Sequence, residues 1–299
     1  MLNLSYKLLA IDLDGTLLNS YGEISEENKR AIKKAQENGI EVVLASGRVP
    51  DSIERYAKEI DSQKFLIAGN GTILKDIQKN EIIYNNFISK EKALKIIRMC
   101  EENSVFCNVY TQKTIITKEL NYNVQYYYYE NSKKDDELRT NINVVNDIYK
   151  YVEQINTSPI SKINICDENK IIFNSIVNKL KRINGVTILD VEHMSKKVIK
   201  KGSEFIDLQY YYTEITNEMA DKWEAIKELA RIMKIQKNEI IAIGAVACKK
   251  SNFKLRITTS IHKVINTTAT AIPAIIANNQ SIENVVLLSI DDISSSSIL

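Results

Sequence analysis

Glycine supplies only 9 of the 299 residues, about 3% where about 7% is usual. Five of them, Gly15, Gly47, Gly69, Gly71 and Gly244, stand within four residues of the end of a short apolar run. The runs are KLLAI, EVVLA, KFLIA (serving both Gly69 and Gly71) and EIIAI. A chain this sparing of glycine keeps it where the backbone must turn tightly. Buried strands that end in tight loops indicate an open α/β sheet, which builds its sites at those strand ends.

Periodicity carries the reading further. Residues 7–12 read as a first strand, and Ser25 opens a helix that closes at Gly39. A strand at 40–45, a helix from Asp51 and a strand at 64–68 follow. Short apolar strands alternating with amphipathic helices predict a parallel sheet with right-handed crossovers. From residue 82 the strands become more alternating, at Ile82-Ile83-Tyr84, Val105 to Tyr110 and Ile115 to Thr117. Helices at 90–102 and 168–182 lead into strands at 105–110 and 186–190, which predicts an α+β insert on an antiparallel sheet. Residues 130–158 are polar and expected to be loop-rich. Near residue 214 the first architecture resumes, with Asp221 and Glu224 capping a helix that reaches Lys234 and a strand at 239–243. The expected organisation is a discontinuous core, 1–83 and 213–299, split by an inserted domain at 84–212.

Composition excludes several classes of partner. The 40 basic and 38 acidic residues leave a formal charge of +2, too little to attract nucleic acid or anionic membrane. Apolar runs are of strand length, far below the roughly 20 residues of a spanning helix. The opening Met-Leu-Asn-Leu-Ser-Tyr-Lys lacks the order of a signal peptide. Cys100, Cys107, Cys166 and Cys248 show no paired short spacing. The expectation is a soluble, cytoplasmic protein with reduced thiols.

The strongest local signal is Asp12-Leu13-Asp14-Gly15-Thr16 at the end of the first strand. Two carboxylates at i and i+2 of an extended strand end point to one side. At about 4 Å and an effective dielectric of about 20 they repel by about 4 kcal/mol, so a cation or a shared proton is expected there. An Asp-rich turn bonding its own backbone is the plainer alternative. After the second strand, Ser46-Gly47-Arg48 offers a hydroxyl and free N–H groups that could cradle a phosphoryl group, although such a triplet also makes ordinary turns. Lys222 stands in the first turn of its helix, where a cation opposes the helix dipole by about 0.3–1 kcal/mol. It is either a surface lysine or one that faces an anion.

Together, Asp-Leu-Asp-Gly-Thr-Leu-Leu, Ser-Gly-Arg and Ala-Gly-Asn-Gly-Thr resemble the haloacid dehalogenase superfamily, and within it the Cof-type sugar-phosphatase-like hydrolases. The stretch Tyr-Thr-Glu-Ile-Thr-Asn-Glu-Met-Ala-Asp-Lys222 is similar to that branch's entry to its lysine motif, and the insert with its ISKINIC strand is similar too. The resemblance implies a Rossmann-like core with a parallel sheet and an inserted α+β cap that selects the substrate. It implies Mg²⁺-dependent hydrolysis of a small phosphorylated metabolite by a monomer or homodimer. Asp12 would attack phosphorus, Asp14 would act as general acid and base, Ser46 would bond a phosphoryl oxygen, and Lys222 would offset charge. Leu13, Gly15, Thr16, Gly47 and Arg48 would line the phosphate site. Mg²⁺ would bind the Asp12 carboxylate and the Asp14 carbonyl.

The family's fourth motif, Gly-Asp-x-x-Asn-Asp, is broken. Here the chain reads Gly244-Ala245-Val246-Ala247-Cys248-Lys249, so Ala245 occupies the metal-ligand position. From Ala245 to Ile282 no Asp or Glu occurs, where the overall composition would place about five. A metal site lacking that acid and gaining Lys249 binds Mg²⁺ weakly. Three accounts fit: a binding protein that has lost catalysis, recruitment of Asp291 or Asp292, or an altered reading frame, although Asn284 to Asp292 again resembles the family's last strand.

Other features have plainer readings. Lys249, Lys250, Lys254, Arg256 and Lys263 form a basic run with one aromatic, Phe253, consistent with a solvated loop. Tyr126 to Tyr129 and Tyr210 to Tyr212 are expected to pack rather than stack on a sugar. His193, His262 and Cys248 have no partner at ligand or catalytic spacing.

Overall fold

A computed structural model describes residues 6–19, 22–132, 136, 139–154, 159–189, 195–201 and 204–244. Ala245, Lys249, Asp291, Asp292, Cys248, both histidines and the basic run lie outside the described residues. The chain divides into two compact units. One holds residues up to Arg48, Ile53–Asn85 and those from Asp221 onward, and the other holds Val49–Ser52 and Asn86–Ala220.

The first unit comprises β1 (Leu8–Ile11), α1 (Glu26–Glu37), β2 (Glu41–Ala45), most of α2 (Pro50–Glu59), β3 (Phe65–Ala68), β4 (Ile73–Asp76) and β5 (Glu81–Asn85). Counting in chain order through the second unit, α7 (Lys222–Met233) and β13 (Ile240–Ile243) complete it. Its sheet order is β13-β1-β2-β3-β4-β5. Strands β1 and β13 pair in parallel from Leu8 and Ile240 to Ile11 and Ile243, and both are buried throughout. Burial on both faces is why these strands are continuous apolar runs rather than alternating ones. Leu8, Ala10, Val43, Ala45, Phe65, Ile67, Ile240 and Ala242 form one face, onto which α7 presses Trp223, Ile226 and Leu229. Each such aliphatic side chain contributes about 1.5–3 kcal/mol by leaving water.

Local signals explain the helix limits. Ser25 caps α1 by accepting a bond from the Asn28 N–H at 3.2 Å, and Gly39 turns the chain at φ +80°. The sheet departs from the expectation at its far edge. It is parallel only from β13 to β3, because β4 and β5 return as antiparallel strands. The expected boundary after residue 83 therefore cuts β5, which stays in the core sheet to Asn85.

The second unit contains α3 (Lys90–Glu102), β6 (Phe106–Thr111), β7 (Thr114–Thr117), α4 (Tyr122–Asn131), β8 (Asn141–Val144), α5 (Ile148–Gln154), β9 (Ile160–Asp167), α6 (Lys170–Leu180), β10 (Val186–Ile188), β11 (Ser195–Lys201) and β12 (Glu204–Asn217). Its sheet runs β10-β12-β9-β6-β7-β8, with β11 on β12. Every pairing is antiparallel except β7 with β8. Cys107, Val109, Ile163, Ile165 and Ile215 form the face that packs on Ala93, Ile96 and Ile97 of α3 and Ile176 and Leu180 of α6. Alternation places Asn108, Lys162, Asn164 and Glu214 on the opposite face, where Lys162 Nζ pairs with Glu214 Oε1 at 2.6 Å.

Two expectations are corrected here. Residues 130–158 are not merely loop, since β8 and α5 lie among them, the former pairing with β7 and the latter burying Ile148 and Val152. The boundary at 213 falls inside β12, whose pairing with β9 and β10 carries the unit on to Ala220. The tyrosine clusters pack within this unit: Tyr127 meets Tyr110 at 6.3 Å, and Tyr210 meets Tyr122 at 5.1 Å. Among the described residues no helix is long and apolar enough to cross a membrane.

Candidate active site

The end of β1 is tied to β13 by the Asp12 N–H, which donates to the Ile243 carbonyl at 3.0 Å. Beyond it, Leu13–Leu17 forms a wide turn closed by Leu17 N–H to Asp12 O at 3.2 Å and Leu18 N–H to Leu13 O at 3.0 Å. Turns with this i to i+5 pattern are concentrated at functional sites. Gly15 takes φ +71° inside it.

This turn corrects the expected placement of the two carboxylates. The chain leaves the extended conformation at Leu13, so Asp12 and Asp14 part instead of sharing one cation. Asp12 is buried and its Oδ1 accepts from the Leu13 N–H and from Lys222 Nζ, each at 2.9 Å. Asp14 is exposed, and its carboxylate is gripped from both sides by Arg48, with Nε at 2.9 Å and Nη2 at 2.6 Å. Each acid thus has its own counter-ion, which removes the repulsion anticipated from spacing.

Lys222 reaches Asp12 because of a glycine far away in sequence. A Cβ on Gly71 would lie 2.2 Å from the Asp221 carbonyl carbon and 2.5 Å from the Lys222 nitrogen. The start of α7 therefore rests directly on the Gly69-Asn70-Gly71 turn. Asp221 caps the helix through the Trp223 N–H at 2.8 Å. The dipole cost at Lys222 is offset by the ion pair with the Asp12 side chain, which is 6% exposed.

Ser46 and Gly47 follow β2. The Ser46 hydroxyl, wholly buried, accepts from the Arg48 N–H at 3.2 Å, and the Ser46 carbonyl accepts from the Asn70 N–H at 3.0 Å. Asn70 was not singled out from sequence, although it lies in the Ala-Gly-Asn-Gly-Thr segment. It adopts φ +58° and packs against Gly47, whose added Cβ would sit 2.9 Å from its Oδ1. Gly244 closes the floor: at φ +98°, a Cβ there would lie 2.4 Å from Thr16 Oγ1 and 2.7 Å from the Asp12 Cβ. The structure brings Asp12, Thr16, Lys222 and Gly244 into one contact set and ties Asp14, Ser46 and Arg48 into a second. Arg48, expected to face phosphate, binds Asp14 with its side chain.

The donor set does not fit the implied Mg²⁺. Octahedral Mg²⁺ prefers hard anionic oxygens, yet among the described residues no cluster of three or more His, Cys, Asp or Glu could hold a metal ion. One Asp12 oxygen carries an ammonium, and the Asp14 carboxylate is occupied by a guanidinium.

A buried aspartate at the end of a parallel strand, a lysine paired to it and a serine after the neighbouring strand place the candidate site at the strand ends of an open α/β sheet. The haloacid dehalogenase-like hydrolase profile matches residues 9–246, and the chain belongs to that family, in its Cof-type branch. It is 34% identical to Phosphatase YwpJ of Bacillus subtilis over 113 residues, 38% of this chain and 39% of that protein. It is 25% identical to YxeH of the same organism over 242 residues, 80% of each chain. A haloacid dehalogenase-like hydrolase from Bacteroides thetaiotaomicron superposes with a TM-score of 0.61 at 26% identity, covering 80% of this chain and 82% of that one.

Proposed function

We propose that this protein hydrolyses phosphomonoesters of small metabolites, with sugar phosphates as the substrate class, through an aspartyl-phosphate on Asp12. The observation that carries the reading is the buried Asp12–Lys222 pair: Lys222 engages Oδ1, and no described residue donates a hydrogen bond to Oδ2. Similarity to Phosphatase YwpJ supports the same reading.

In this scheme Asp12 Oδ2 forms a bond to phosphorus as the bond to the leaving oxygen breaks. Asp14, protonated in this step and released from Arg48, gives its proton to the leaving alkoxide. Water then attacks the aspartyl-phosphate, Asp14 takes the water's proton, and inorganic phosphate leaves with Asp12 restored. Lys222 offsets the negative charge of the carboxylate and the incoming phosphoryl group. Ser46 and the N–H groups after β2 hold phosphoryl oxygens, with Leu13, Gly15, Thr16 and Gly47 shaping the cradle. The second unit selects the leaving group. Mg²⁺ is the cofactor expected of the family, and with Ala245 in the fourth motif its affinity here is weak and turnover slow.

A second reading, a phosphometabolite-binding protein without catalysis, is favoured by the missing third carboxylate among the described residues. Release of phosphate from a panel of sugar phosphates with Mg²⁺ present, using Asp12→Asn as control, separates the two. Turnover abolished by that change supports the hydrolase. Saturable sugar-phosphate binding without turnover overturns it in favour of the binding protein.

A further inference from the structure

Two guanidinium groups converge on one phenol in the first unit. Tyr56 is 2% exposed and donates its hydroxyl proton to the Gly22 carbonyl at 3.0 Å. Its ring carries the Arg55 guanidinium at 4.3 Å and the Arg48 guanidinium at 5.5 Å. Both arginines donate to its oxygen, Arg48 through Nη1 at 3.5 Å and Arg55 through Nη2. Two cations gathered on one side chain repel each other.

Arg48 has a counter-charge in Asp14. Arg55 has none: no described carboxylate lies within ion-pair distance of it. Its own helix carries three acids, Asp51, Glu54 and Glu59; none of them pairs with Arg55, Glu54 meeting Lys75 at 2.6 Å and Glu59 meeting Lys29 at 2.9 Å. Its Nε is buried and has no hydrogen-bond partner. An unmatched buried N–H on an uncompensated cation is costly, and an incoming oxyanion beside the guanidinium supplies the missing counter-charge.

We infer that Arg55, beside Arg48, receives a second anionic group of the substrate, so that the favoured substrates are phosphomonoesters carrying a further phosphate or carboxylate. This rests on the phosphomonoester reading above for the first phosphate. Arg48 links the two ends, since one guanidinium touches both Asp14 and the Tyr56 hydroxyl. The planar fork of Arg55 suits either oxyanion, and its role is specificity rather than catalysis.

Titration calorimetry of the full chain tests this with glucose 6-phosphate, fructose 1,6-bisphosphate and 6-phosphogluconate. The wild type should bind at least one of the two ligands with a second anionic group about tenfold tighter than glucose 6-phosphate, and Arg55→Gln should abolish that advantage while changing glucose 6-phosphate binding by less than about twofold. Arg55→Lys, which keeps the charge, should retain part of it. An advantage for the bisphosphate alone assigns a second phosphate, and one that includes 6-phosphogluconate assigns a carboxylate as well. Equal binding of all three ligands, an equal loss for all three in Arg55→Gln, or no saturable binding overturns the inference. Loss of the preference alongside intact phosphate release leaves the hydrolase reading standing, whereas a preference without any phosphate release sinks that reading alone.

Discussion

The Lys222 ammonium lies 2.9 Å from the Asp12 carboxylate across 210 residues of sequence, and both side chains are at least nine-tenths buried. The pair joins the first strand of the core to the helix that follows the second unit. Removing one partner leaves a buried charge uncompensated, which costs more than the pair itself contributes.

Lys222→Met should therefore lower unfolding stability by about 3 kcal/mol, while Asp12→Asn combined with Lys222→Met should be less destabilised than Lys222→Met alone. Urea denaturation of the three proteins measures this. A Lys222→Met protein as stable as wild type would show that the pair is solvated.

Gly244 and Gly39 separate backbone strain from crowding. Both have positive φ, but an added Cβ meets nothing within 4 Å at Gly39 and meets Thr16 and Asp12 at Gly244. Gly39→Ala should cost about 1 kcal/mol and Gly244→Ala about 3 kcal/mol, with any phosphatase activity lost only in the latter. Equal costs in thermal unfolding would rule out close contact at the site floor.

Supplying the missing acids should rebuild a cation site. Ala245→Asp with Lys249→Asp is expected to raise Mg²⁺ affinity by at least about tenfold in calorimetry and to raise the hydrolysis rate with it. Unchanged affinity would mean that the fourth motif does not lie where its spacing places it.

Tyr122 offers a pH test. Burial first, then the nearby carboxylates of Glu168, Asp167 and Glu119, push its phenol up to about 12 from an ordinary 10.0. Between these values the unfolded chain releases a proton that the folded chain retains, so stability is intact below pH 10 and falls as pH rises toward 12. Tyr122→Phe should lose less stability than wild type between pH of about 9 and about 11.5. An equal loss of unfolding free energy in the two proteins between these pH values, read from denaturant titrations, would contradict the assignment.

Much of the core was legible because its signals are local. Apolar runs ending in glycine marked β1, β2, β3 and β13 within a residue or so, and Ser25 and Asp221 announced their helices by capping. The edge strands β4 and β5 were less legible, since the direction of a neighbouring strand is set by the turn between them, here the left-handed Asn70. The polar character of residues 130–158 hides β8 and α5, which gain their structure from pairing with β7 and packing in the second core.

The candidate site divides in the same way. Sequence alone determined which residues stand at the strand ends, Asp12, Asp14, Ser46 and Gly244, because strand length and turn chemistry act over a few residues. It also determined the loss of acids after Gly244. Only the tertiary structure decided the pairings: Lys222 with Asp12, Arg48 with Asp14, and Arg55 with no carboxylate among the described residues. Those choices depend on where Gly71 lets α7 approach and on how the Leu13–Leu17 turn separates two acids that spacing places together. Charge pairing follows distance in space, which sequence spacing reports only within a single element.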